Sequence, residues 1–237
     1  MNKTLWLAHR PIAHRGLHDE KYPENSIPAF VEAVRYNYPI ELDVQLSSDG
    51  EIVVFHDYNT FRMTGVAYNI ADVNYADLSL LRLNKTEYCI PRLEEVLQVV
   101  DKRVPLLIEI KNEGLPGCLE EKLCHCLENY RGEFAIQSFN PFSLRAVKNR
   151  CPNFITGQLS KSFEDKMFIK KTVLRNCWLN FLSRPSFISY RLADITPKIV
   201  KKAKSRGFII CWTVKTEKNR KKAIKYCDNY IFENIRP

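Results

Sequence analysis

Ile40-Glu41-Leu42-Asp43-Val44-Gln45-Leu46 alternates aliphatic and polar residues, and Asp49-Gly50 and Ile52-Val53-Val54-Phe55 follow shortly after. This is the period of a strand, whose successive side chains leave on opposite faces. Leu42 and Val44 then share one face while Glu41 and Asp43 share the other. Asp49-Gly50 is a turn signal, so 52–55 reads as a short strand folding back beside the first.

Outward from this hairpin, short apolar runs alternate with helical patterns, the rhythm of parallel strands joined by helices. Pro11-Ile12-Ala13 leads into a first strand, and Asn25-Ser26 cap a helix through Ala29, Phe30, Ala33 and Val34, with Pro28 in its first turn. Further strands are expected at 106–111, 134–139, 155–159, 178–182, 208–214 and 230–232. With those at 11–13 and 40–46 they reach the eight of a closed barrel, and helices are expected at 92–100, 117–130, 141–150, 197–206 and 216–226. The fold class is thus α/β, one (β/α)8 TIM barrel over residues 1–237, with a small insertion after the hairpin at about 57–90.

A length of 237 residues suits one such barrel, and 45% apolar and 27% charged residues are ordinary globular values. The N-terminal apolar run is too short for a signal-peptide core and no stretch is long enough to span a bilayer, so a cytoplasmic protein is expected. The 8 cysteines follow no framework spacing and read as reduced thiols; Cys118 with Cys124-His125-Cys126 lacks the paired spacing of a zinc site. A net charge of +9 favours anionic partners in general. Much of it, however, falls on the wet faces of the last two helices, without the interleaved aromatics that stack bases, so no nucleic acid is expected.

Glu41 and Asp43 on one strand face would place two carboxylates in one site, which is costly unless a cation or a proton intervenes. Glu109-Ile110-Lys111 repeats the arrangement, with Glu109 as a third oxygen ligand and Lys111 as a point charge for an anionic oxygen. An all-oxygen set favours Mg2+ or Ca2+. The same acids could instead form buried ion pairs with Lys111 or Arg15. His14 and His56 stand where apolar strands stop, at the carboxyl ends where barrels carry their chemistry.

His14-Arg15-Gly16, Pro23-Glu24-Asn25-Ser26, Glu41-Leu42-Asp43-Val44, Asp49-Gly50 and His56-Asp57 occur here in the order found in the glycerophosphodiester phosphodiesterases, which the chain resembles. The match runs on through Arg62-Met63-Thr64-Gly65, 91–97, Glu109-Ile110-Lys111, Ser138-Phe139 and Trp212-Thr213-Val214. The resemblance implies a PI-phospholipase-C-like TIM barrel that hydrolyses small glycerophosphodiesters to glycerol 3-phosphate and an alcohol. It further implies Glu41, Asp43 and Glu109 as ligands of a divalent cation, Arg15 and Lys111 as the phosphate grip, His14 and His56 as general acid and base, and Phe139 and Trp212 as walls of the substrate channel.

The chain departs from the family's usual Asp-Gly, two apolar residues, Thr-Asp ending, carrying Asp228-Asn229-Tyr230-Ile231-Phe232-Glu233, and it has Lys215 where Asn is common. Lys215 is expected to add positive charge at the mouth. Two other readings stand beside the first. One is a lysophospholipase D on the same site, with 57–90 as the acyl ramp; the other is a non-catalytic basic barrel that binds anions or makes peripheral contact with a membrane.

Overall fold

The computed structural model describes residues 5–162, 180–205 and 207–237. Eight parallel strands close on themselves: β1 (Ile12–Ala13), β2 (Ile40–Leu46), β4 (Leu106–Ile110), β5 (Phe134–Ser138), β6 (Thr156–Ser160), β7 (Phe187–Arg191), β8 (Phe208–Val214) and β9 (Asn229–Phe232), with β1 paired to both β9 and β2. β3 (Ile52–Val54) runs antiparallel on the outside of β2, Val44 opposite Val54, as the Asp49-Gly50 turn requires. The expected TIM barrel with its hairpin is therefore present.

One strand differs from expectation. The segment 178–182 was expected to be the seventh strand; 178 and 179 lie outside the described residues, and Asn180–Ser183 is a helical turn with Phe181 70% exposed. The seventh strand is Phe187–Arg191, whose alternation Phe187, Ser189 and Ile188, Tyr190 sends side chains to opposite faces. Gly157 on β6 makes room for it: a Cβ there would lie 2.1 Å from the Phe187 ring.

Along the strands, successive residues divide between two apolar cores. Leu42, Ile108, Ile136, Ile188 and Ile209 pack under the outer helices, while Ile12, Leu107, Ala135, Phe187, Ile210 and Ile231 pack together with Trp6 and Leu7 of the helix Leu5–His9. Asn229, where the family usually has glycine, ties that helix down: its buried amide donates to the Leu7 and Arg10 carbonyls at 2.8 and 2.6 Å.

The helix Ile27–Arg35 begins at Ser26, whose hydroxyl accepts from the Ala29 amide at 3.4 Å, with proline in the first turn as expected. The excursion after β3 carries its own small core, in which Val53 and Phe55 meet Met63, Ile70, Leu78 and Ile90. It returns through the helix Leu93–Val100, which starts one residue later than expected. Among the described residues no helix is long and apolar enough to cross a membrane. Lys198, Lys201, Lys204, Lys218, Lys221 and Lys225 are exposed on the last two long helices, Pro197–Lys204 and Glu217–Tyr226.

Candidate active site

The strand register brings the acids to one level: Asp43 on β2 lies beside Glu109 on β4, which lies beside Gln137 on β5. Oxygen atoms of Glu41, Asp43 and Glu109, all three residues buried, fall within 4.8 Å of one another. Around them a cavity of about 360 Å3 is lined by His14, Arg15, Glu41, His56, Glu109, Lys111, Phe139 and Trp212, with Gln137, Tyr58 and Lys161 among its other walls. Asp43 lies against this group and is 1% exposed. The candidate metal, phosphate, acid–base and channel residues named from the sequence thus lie together in one place.

The two cations are shared among the acids. Arg15 adopts a left-handed backbone, φ 54°, just before Gly16 at φ 83°. That turn points its backbone amide at Glu41 Oε2, 3.1 Å away, and its guanidinium at Asp43, with Nε 3.4 Å from Oδ2. A side chain on Gly16 would meet the Ala29 backbone at 2.9 Å, so the turn has no room for one. Lys111 Nζ is 3.2 Å from Glu109 Oε1 and 3.9 Å from Asp43 Oδ1.

Burial, together with the charges of Asp43 and Glu109, raises the Glu41 carboxyl well above its ordinary range. Burial likewise pushes Glu109 up to about 7 despite the nearby Lys111. Burial acts on Asp43 in the same sense, but Arg15, His56, Lys111 and the Asn25 amide, 2.9 Å from Oδ2, hold it below the carboxylate norm. Asp43 Oδ1 is buried without a hydrogen-bond partner. Three oxygen donors, two of them driven toward protonation and one orphaned, are the donor set of a hard divalent cation such as Mg2+ or Ca2+.

Each histidine is held by a carboxylate. His14 Nδ1 lies 2.8 Å from Glu233 Oε2, and His56 Nδ1 lies 2.6 Å from Asp57 Oδ1. A neutral ring facing a carboxylate through Nδ1 keeps its proton there, leaving the Nε2 lone pair free to accept another. Burial lowers both imidazoles, against the opposing pull of Glu233 on His14 and of Asp43 and Asp57 on His56. Burial disfavours the Glu233 charge, but the His14 hydrogen bond and Lys215 carry the carboxyl down to about 2. Lys215 Nζ is 3.0 Å from Glu233 Oε1, so its charge is met at the rim by that carboxylate rather than offered to the cavity.

Several supporting residues had no role in the site assigned from the sequence, and for Asn25, expected to help cap the helix at 27–35, the structure gives a different role. Glu24 holds Arg15 Nη1 at 2.6 Å, Asn25 holds Asp43 rather than capping the helix beside Ser26, and Gln137 Nε2 reaches Glu41 Oε1 at 3.4 Å. The signal for Gln137 was present as a lone amide inside an apolar strand. Phe139 and Trp212 meet edge to face with centroids 5.8 Å apart. The Phe139 backbone is fixed by Gln158, whose amide donates to the Ser138 and Phe139 carbonyls at 3.1 and 3.0 Å.

The Glycerophosphoryl diester phosphodiesterase family profile matches residues 14–233. The chain belongs to this family. It is a phosphodiesterase hydrolase with glycerophosphodiester phosphodiesterase activity. A glycerophosphodiester phosphodiesterase of Caldanaerobacter subterraneus is 32% identical over 228 residues, covering 90% of this chain and 89% of that protein. The glycerophosphodiester phosphodiesterase of Thermotoga maritima superposes with a TM-score of 0.74 at 26% identity, over 94% of each chain. An Oleispira antarctica phosphodiesterase, solved with its product sn-glycerol-3-phosphate, shares the fold with a TM-score of 0.80 at 22% identity, over 94% of this chain and 92% of that one.

Proposed function

We propose that the chain hydrolyses small glycerophosphodiesters to glycerol 3-phosphate and an alcohol, using a divalent cation held by Glu41, Asp43 and Glu109. The observation that carries this reading is the convergence of those three buried carboxylates, Arg15, Lys111 and two carboxylate-held histidines on one cavity. When bound, the cation supplies Lewis-acid withdrawal of charge from the phosphoryl oxygens.

The chain's own groups supply the rest. Arg15 and Lys111 offset the anionic phosphate, which otherwise repels a nucleophile. One of His14 and His56 accepts the nucleophile's proton at Nε2, and the other returns a proton to the departing alkoxide oxygen. Glu233 and Asp57, bonded to the Nδ1 atoms, fix the ring orientations and stabilise the imidazolium that forms. The Phe139 and Trp212 rings wall the cavity and shield the reacting atoms from bulk water. The product named for the Oleispira phosphodiesterase supports glycerol 3-phosphate as the retained half.

Two assays test this, one for glycerol 3-phosphate released from a panel of water-soluble glycerophosphodiesters and one for the head-group alcohol released from a lysophospholipid. Release from the soluble diesters is expected. Turnover of the lysophospholipid alone would move the assignment to a lysophospholipase D.

A further inference from the structure

We propose that His14, His18 and Glu233 form a second metal site, suited to a transition ion such as Zn2+, and that filling it withdraws His14 from catalysis. The first half stands on geometry alone; the second rests on the acid–base role given to His14 above.

One ligand atom from each of the three residues falls within 4.8 Å of the other two. The turn through Gly16 folds the chain back so that His18 comes beside His14, and Leu17 pins it, with its amide 2.9 Å from the Ala29 carbonyl and its side chain buried. His18 Nε2 is buried and has no hydrogen-bond partner. On Glu233, Lys215 at 3.0 Å and Asn234 at 3.4 Å both contact Oε1, which leaves Oε2 to His14. All three residues are only partly buried, so an ion can enter from solvent.

The donors are two imidazole nitrogens and one carboxylate oxygen, the composition of many three-ligand zinc sites with an open fourth position. The Glu41, Asp43 and Glu109 group is all oxygen and prefers harder ions, so the two sites differ in the metals they select. Ordinary zinc bond lengths put tetrahedral donors about 3.3 Å apart. His14 and Glu233, now 2.8 Å apart, would need to part by only a fraction of an ångström.

With the ion on His14 Nδ1, the single N–H proton of the neutral ring moves from Nδ1 to Nε2 by exchange through solvent, with no net proton released. The ring can neither accept a proton there nor hold the second one it would pass to a leaving group. Inhibition follows without any loss of the hard cation.

The test is a zinc titration of the intact chain in excess Mg2+, in competition with a chromophoric chelator and with turnover measured in parallel. The parent is expected to bind zinc tightly and to lose activity as it does. His18→Gln is expected to keep its basal turnover and to need at least about tenfold more zinc for the same inhibition. Co2+ gives a second readout, because a four- or five-coordinate nitrogen-containing site absorbs strongly in the visible; this band is expected in the parent and absent from both His18→Gln and His18→Asn. Zinc uptake and inhibition unchanged by either folded variant would overturn the site, as would a parent that takes up no zinc. Zinc bound through His18 with turnover untouched would overturn the inhibition and the acid–base assignment of His14, while leaving the site in place.

Discussion

Arg62, on the first short helix of the excursion, grips both oxygens of Glu24, with Nη2 at 2.6 Å and Nη1 at 3.3 Å. Its Nε also reaches Asp57 Oδ2 at 2.5 Å. Glu24 holds Arg15 and Asp57 holds His56, so one guanidinium braces at once the proposed phosphate ligand and one of the two proposed acid–base residues. Arg62→Gln is expected to lower kcat by about ten- to a hundredfold through misplacement of these groups. Arg62→Lys should recover only part of it, since an ammonium cannot make the fork. Steady-state kinetics of both variants, with circular dichroism to check the fold, measure the effect; unchanged kcat in Arg62→Gln would remove the brace.

The histidines are expected to be replaceable with little loss of fold, since they follow the ends of β1 and β3. His14→Gln and His56→Gln should each lower kcat by about a hundred- to ten-thousandfold. On an activated aryl phosphodiester, whose phenolate departs without a proton, only the variant lacking the acid should regain activity. Rates of both variants on the two substrate types assign the roles.

Glu109 sets a pH dependence whose sign can be worked out. Its folded carboxyl titrates near 7 against an ordinary 4.5, so the metal-free fold favours the protonated form. That contribution is fully present below about 4.5 and is lost as pH rises through about 7. Glu109→Gln removes it. In excess chelator, the Tm of the variant minus that of the parent is therefore expected to grow as pH rises across this window. Scanning calorimetry at several pH values checks it, and a constant difference would contradict it.

Asn229→Gly restores the family's common residue, yet it should destabilise this chain. The Leu7 and Arg10 carbonyls would lose their buried donor, at a cost of about 1–3 kcal/mol, or a few degrees in Tm. Activity should be nearly unchanged, because the contact lies on the helix Leu5–His9, away from the cavity. Thermal melts and kinetics of the variant test both statements.

Trp212→Ala is expected to raise KM by about tenfold with a smaller effect on kcat, because it removes wall area rather than a reacting group. A loss confined to kcat would instead place Trp212 in the chemistry.

Most of the barrel was legible because β2 alternates cleanly, because β4, β5 and β8 are short and largely apolar runs, and because Ser26 with Pro28 marks a helix start by local chemistry alone. The seventh strand was missed for a reason that periodicity does not carry. Residues 178–182 are the more apolar run, but Phe187–Arg191 is the segment whose first ring fits over Gly157, and that complementarity between strands is invisible along the chain. In the site, the residues that bear charge on a strand face were readable from spacing. Their supports, Glu24, Asp57 and Glu233 in loops and Arg62 on a short helix, come from distant parts of the sequence, 219 residues apart for His14 and Glu233. Lys215 shows the same limit: its position suggested charge in the mouth, and only the fold reveals Glu233 facing it.

The most direct measurement of the central claim is glycerol 3-phosphate release by chelator-stripped protein, titrated with Mg2+ or Ca2+ while ion binding is followed by calorimetry. Turnover should be absent without the ion and should return in step with its binding, and Glu41→Gln should weaken both together. Full turnover after verified removal of metal, or binding that Glu41→Gln leaves unchanged, would contradict it.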